Sequence, residues 1–163
     1  FLGTDQRSAG RAVPPTGMIC VDASVAAKWI LEEEDWAREA EALLGATLRA
    51  GEPIVAPPLL PFEITNILRR RQRATTPVSL ERVLLLLEEF LRLPIALHNS
   101  PGMHRRALVL ADAYGLPAAY DAHYLALAEQ FDCVLWTDDR RLLRTLDGRL
   151  PFVRSISDYG PIA

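Results

Sequence analysis

Met18-Ile-Cys-Val-Asp22-Ala-Ser24 runs straight into Val25-Ala-Ala-Lys-Trp-Ile-Leu31. A short apolar run ends in a carboxylate, and residues at helical spacing follow. The first part reads as a buried strand that delivers one acid to its own C-terminal tip. Asp22 or Ser24 can cap the helix behind it, which is expected to reach about Leu31.

Further apolar runs of the same kind lie outward from that stretch. Ile54–Ala56, bounded by prolines, reads as a second strand, and Ile95–His98 and Cys133–Trp136 as a third and fourth. Phe152–Arg154 is a weaker fifth. Between them lie helical patterns: Trp36–Ala50 closed by Gly51, Leu59–Arg73, Leu80–Leu93, Pro101–Tyr114 closed by Gly115, Ala118–Phe131 and Arg140–Leu146. The strands are short, apolar and not alternating, and the segments between them are long enough to cross over. That pattern predicts an α/β fold with three layers and a central parallel sheet of about five strands, covered on both faces. Leu80–Leu93 is apolar on nearly all sides, so the helix is either central or partly covered by another chain.

The 163 residues suit one domain, with 50% hydrophobic and 24% charged residues. A chain of this length buries roughly 70% of its unfolded surface and needs no metal merely to stay folded. The net charge of −3 argues against a cationic protein that binds phosphates everywhere. Cys20 and Cys133 sit in strand-like runs and read as buried thiols of a reduced chain. No run approaches the ~18–20 apolar residues of a membrane span. Residues 1–17 lack a signal-peptide core and start without Met, so they read as a disordered tail or an expression remnant before a single domain over 18–163. The expected location is cytoplasmic.

In an open parallel sheet, ligands bind beyond the carboxyl ends of the strands. Asp22 and the pair Asp138-Asp139 follow strands at that edge. Glu63, in Leu60-Pro-Phe-Glu63-Ile-Thr-Asn66, and Asp121, in Ala119-Tyr-Asp121-Ala-His-Tyr124, lie in the first turns of helices. Glu63 is set among apolar neighbours, and neither acid has a Lys or Arg at i±3 or i±4. Each acid has a plainer reading. Asp22 can be only a cap, Asp121 a residue favoured by the helix dipole, and Asp138 or Asp139 a cap for Arg140–Leu146.

Together they are harder to explain plainly. Two unit charges ~4 Å apart repel by about 4 kcal/mol at an effective dielectric of 20. Converged carboxylates need protons or a cation, and an all-oxygen set selects a hard ion, Mg²⁺ or Mn²⁺. Such an ion acidifies water and stabilises an in-line phosphoryl displacement, so the residues point to phosphodiester hydrolysis. Arg140 and Arg141, directly after the acid edge, are candidate contacts to the phosphates of a nucleic-acid substrate. Arg69–Arg73 reads as a solvated helix end. His98, His104 and His123 have no metal-ligand spacing. Asn66, at i+3 from Glu63, is a candidate partner for that acid.

With these residues in view, the chain resembles the PIN-domain ribonucleases, and most closely the VapC-type toxins of toxin–antitoxin pairs. The resemblance rests on Val21-Asp22-Ala-Ser24, Pro58-Leu-Leu-Pro-Phe-Glu63-Ile-Thr-Asn66, Tyr120-Asp121-Ala-His-Tyr-Leu-Ala-Leu-Ala128 and Trp136-Thr137-Asp138-Asp139-Arg140-Arg-Leu142. It implies a PIN-like fold and a Mg²⁺ or Mn²⁺ site at Asp22, Glu63, Asp121 and Asp139. Asp138 fills a variable position, and spacing favours Asp139 over it. Ser24 and Thr137 would orient the acids or hold a metal-bound water. Asp121 or Glu63 would orient the attacking water on single-stranded RNA. A homodimer and a VapB-type antitoxin are the implied partners. Two rivals remain. One is a catalytically silent PIN-like interaction module. The other is a haloacid-dehalogenase-like phosphatase, which needs an Asp at position 24 and a lysine in a later segment, whereas the chain's only lysine is Lys28.

Overall fold

The computed structural model describes residues 17–32 and 34–160. The expected tail therefore lies outside the described residues, apart from Gly17. The chain runs β1 (Ile19–Val21), α1 (Ala23–Ala26), a 3₁₀ turn (Ala27–Trp29), α2 (Ala37–Ala50), β2 (Ile54–Ala56), α3 (Leu59–Gln72), α4 (Leu80–Leu91), β3 (Ile95–Leu97), α5 (Pro101–Tyr114), α6 (Tyr120–Gln130), β4 (Val134–Thr137), α7 (Arg140–Leu146) and β5 (Val153–Ser155). A last 3₁₀ turn spans Ile156–Asp158.

All five strands pair in parallel in the order β3-β2-β1-β4-β5. Helices flank the sheet, as the run of short apolar strands predicts. β1, β2 and most of β4 are buried, which is why their sequences carry no polar alternation. The chain moves outward from β1 to β3, then returns past β1 to add β4 and β5. The order therefore reverses between β1 and β4, and a crevice opens at such a switch point.

Several details differ from the sequence reading. The helix expected from Ser24 to Leu31 is short, and it tightens into a 3₁₀ turn after Ala26. That turn buries Lys28. β4 extends to Thr137, one residue further than its apolar run. Asp22, not Ser24, caps α1, and its side chain accepts from the Ser24 and Val25 amides. On α4, Val83, Leu86 and Phe90 face the core, while Leu80, Leu84, Leu85 and Leu91 are exposed. Cys20 and Cys133 are free and buried, as expected. Among the described residues no helix is long and apolar enough to cross a membrane.

Candidate metal-dependent nuclease site

Parallel pairing of β1 with β4 sets Val21 opposite Trp136. The next residues, Asp22 and Thr137, then face each other at the switch point. The Thr137 hydroxyl donates to Asp22 Oδ2. The Ser24 hydroxyl donates to Asp22 Oδ1 at 2.5 Å, and the Ser24 and Val25 amides donate to the same oxygen at 3.0 and 3.2 Å. Each hydroxyl is itself fixed from behind. Ser24 Oγ accepts from the Asp138 amide at 2.7 Å, and Thr137 Oγ1 from the Asp139 amide at 2.9 Å. The loop after β4 thus holds both hydroxyls with their protons aimed at one carboxylate.

Asp22 is only 8% exposed. Burial pushes its carboxyl up to about 6, against the opposing hydrogen bonds from Ser24, Thr137 and the Val25 amide; the nearby charge of Glu63 adds to the rise. Glu63 is half-buried at the N-terminal end of α3 and accepts from the Tyr124 hydroxyl of α6 through Oε2. Its carboxyl is also raised, first by burial and then by the charges of Asp121 and Asp139, with the Tyr124 bond opposing. Asp121, in the first turn of α6, is raised by burial and by Asp139, with Arg141 opposing. Asp139 caps α7: its Oδ1 accepts from the Arg141 and Leu142 amides at 2.8 and 3.0 Å. Four acids from four separate elements therefore feel one another's charge at one edge of the sheet.

Asp138 behaves differently. Its Oδ2 lies 2.9 Å from Lys28 Nζ, with the two side chains 15% and 3% exposed. Asp138 is thus engaged by the chain's only lysine, while Asp139 keeps Oδ2 without a protein donor among the described residues. Lys28 is the site residue that sequence reasoning missed. The available signal was a single cation inside the apolar run Val25–Leu31, a placement that calls for a buried partner.

The remaining candidates separate. Arg141 lies near enough to Asp121 to oppose the rise of its carboxyl. Arg140 is exposed and turned to Asp35, 3.9 Å away. Asn66 is exposed and makes no hydrogen bond to Glu63 among the described residues. Arg71, in the basic end of α3, pairs with Glu34. His104 and His123, 19 residues apart, meet with ring nitrogens 2.9 Å apart.

The donor chemistry suits a hard divalent ion. Glu63 Oε1, both oxygens of Asp121 and Asp139 Oδ2 have no protein donor among the described residues, and an ionised carboxylate has about four lone-pair sites to fill. As they stand, no three acid, cysteine or histidine side chains among the described residues are close enough to hold a metal ion between them. Mg²⁺ keeps several waters and is held through one or two carboxylates, so a spread set of acids can serve it.

A parallel sheet with carboxylates grouped at its switch point defines the class of an acidic-site α/β protein. The model of the PIN domain family matches residues 19–147, and the chain belongs to that family. PIN domains are generally metal-dependent nucleases. The crystal structure of PAE2754 from Pyrobaculum aerophilum is similar in fold, with a TM-score of 0.62 and 23% sequence identity over 86% of this chain and 92% of that one. Comparison with curated proteins returned no match.

Proposed function

We propose that the chain is a metal-dependent endoribonuclease that hydrolyses single-stranded RNA, and that it is the toxin of a VapBC-type pair acting in the cytoplasm. In this reading Asp22, Glu63, Asp121 and Asp139 hold Mg²⁺, or Mn²⁺ in its place. One observation carries the reading: these four acids come from four elements to the β1–β4 switch point, and three have carboxyls pushed up by burial with neighbouring acid charge adding to the rise. A bound divalent ion supplies the Lewis acidity for a phosphodiester displacement. The chain's own residues do the positioning. Ser24 and Thr137 fix the Asp22 carboxylate, Tyr124 fixes Glu63, and the amides at the start of α7 fix Asp139. Arg141, whose charge acts on Asp121, would meet an RNA phosphate there.

The phosphatase alternative lacks its second acid: position 24 is Ser24, whose hydroxyl donates to Asp22. Exposed leucines on α4 suit a covered face in a homodimer or against an antitoxin helix.

The test is incubation of the purified chain with total cellular RNA, in Mg²⁺ or in EDTA, beside Asp121→Asn. Cleavage in Mg²⁺ alone, lost in the variant, supports the reading. Cleavage in EDTA, or an undiminished variant, overturns it. Growth arrest on expression, relieved by the product of a small adjacent upstream gene, tests the toxin role.

A further inference from the structure

A second recess lies beside the acids, and its lining is of a different kind. Leu59, Phe62, Asn99, His104, Tyr120 and His123 help line an open recess of about 400 Å³, within the ~300–1,000 Å³ range of small-molecule sites. Two of these residues are large exposed aromatics, Phe62 at 74% and Tyr120 at 64%. Phe62 directly precedes Glu63 on α3, and Tyr120 directly precedes Asp121 on α6. Each helix therefore sends an acid toward the cluster and an aromatic ring toward the recess from adjacent positions. The Tyr124–Glu63 bond ties the two helices together there.

The polar wall of the recess is ordered. His123 Nδ1 lies 2.6 Å from the Ala119 carbonyl, so this nitrogen carries the proton and donates. His123 Nε2 is then left to accept from His104 Nδ1, 2.9 Å away. His104 Nε2 meets the Asn99 side chain at 2.6 Å. The other atom of the Asn99 amide has no protein partner among the described residues. The recess thus offers two ring faces and one side-chain amide held by a chain of hydrogen bonds.

We propose that this recess is a nucleobase subsite, which holds a base of the single-stranded RNA next to the scissile phosphate by stacking on Phe62 and Tyr120, and reads its edge through Asn99. The proposal rests on the ribonuclease reading above. Unstacked bases are the part of single-stranded RNA that aromatic side chains and amides recognise, and stacking tolerates any base while a polar edge discriminates among them. Phe62 and Tyr120 each directly precede one of the four acids, so a base held there would lie close to the cut.

The test uses the full chain and four fluorescent oligoribonucleotides, rA8, rC8, rG8 and rU8, with anisotropy read in EDTA so that no strand is cut. Wild type is expected to prefer one base. Phe62→Ala and Tyr120→Ala should each weaken binding about tenfold or more, as loss of a stacked base does. Asn99→Ala should narrow the preference among the four strands. In Mg²⁺, the mapped cut sites of Phe62→Ala should lose their base bias, with KM raised more than kcat is lowered. All three side chains are exposed, and circular dichroism checks that the variants fold.

If wild type cleaves RNA but the variants bind and cut as it does, the subsite is wrong and the nuclease reading stands. If wild type neither binds nor cuts RNA, both fail. If Phe62→Ala turns a dimer into a monomer in sedimentation while RNA affinity holds, the recess is a contact between copies and the subsite is overturned.

Discussion

Replacing Lys28 by Met keeps most of the side chain's length and removes its charge. Lys28 Nζ lies 2.9 Å from Asp138 Oδ2, with only 3% of the lysine and 15% of the aspartate side chain exposed. Removing one partner of a buried pair typically costs 3–5 kcal/mol, because the other charge stays behind uncompensated. Asp138 reaches some solvent, so the lower end applies, about 3 kcal/mol. For a domain of this size that is a fall in Tm of roughly 6–12 °C. Asp138→Asn should cost a comparable amount, since it strands the buried ammonium. The double variant should recover most of the loss, because neither charge is then orphaned. Thermal and urea unfolding of the four proteins give the coupling directly. The reasoning fails if Lys28→Met loses less than about 1 kcal/mol, the level of a surface pair, or if the two substitutions simply add.

Two further predictions concern the acids. Burial holds the Asp22 carboxyl at about 6 against an ordinary 3.8, a gap corresponding to about 3 kcal/mol. Its folded-state proton stabilises fully below pH 3.8, and that stability is lost as pH rises through about 6. Without divalent ions Tm should therefore carry a downward contribution between those values, which Asp22→Asn removes; added Mg²⁺ should raise Tm at pH 7.5 and not at pH 5, and an equal effect at both would count against Asp22 as a ligand. Tyr124→Phe removes the hydroxyl that donates to Glu63. It should cost about 1–3 kcal/mol and weaken Mn²⁺ binding, read by calorimetry, by about 10- to 100-fold; unchanged affinity would detach Glu63 from the metal site.

Short apolar runs bounded by prolines and charges made the strands legible, and their separation by crossover-length helices made them parallel. The acids were legible as residues out of keeping with apolar neighbours, Glu63 above all. Partners across the sheet were not legible. Thr137 meets Asp22 because β4 lies beside β1; the family resemblance implied that role for Thr137, but local sequence carries no record of the strand order. Lys28 meets Asp138 for the same reason, across 110 residues. His104 and His123 lie on different helices, α5 and α6, so a search for local metal spacing passes over them.

The sequence reading treated helix cap and metal ligand as rival roles for Asp22 and for the acid after Thr137. For Asp139 the geometry leaves room for both roles, whereas Asp22 already accepts four hydrogen bonds. Asp22 Oδ1 takes the amides of Ser24 and Val25, and Asp139 Oδ1 takes those of Arg141 and Leu142. In Asp139 this leaves Oδ2 without a protein donor among the described residues, and in Asp22 Oδ2 takes only Thr137. The Asp139 carboxylate keeps lone pairs for a second task. Capping also supplies what a group of like charges lacks. Amide protons at a helix start stabilise the ionised form, and they fix the side chain so that its second oxygen keeps one direction. Both short helices, α1 and α7, begin at the switch point, one behind β1 and one behind β4. Their starts hold two acids in place, so the order of these two carboxylates is built by the fold.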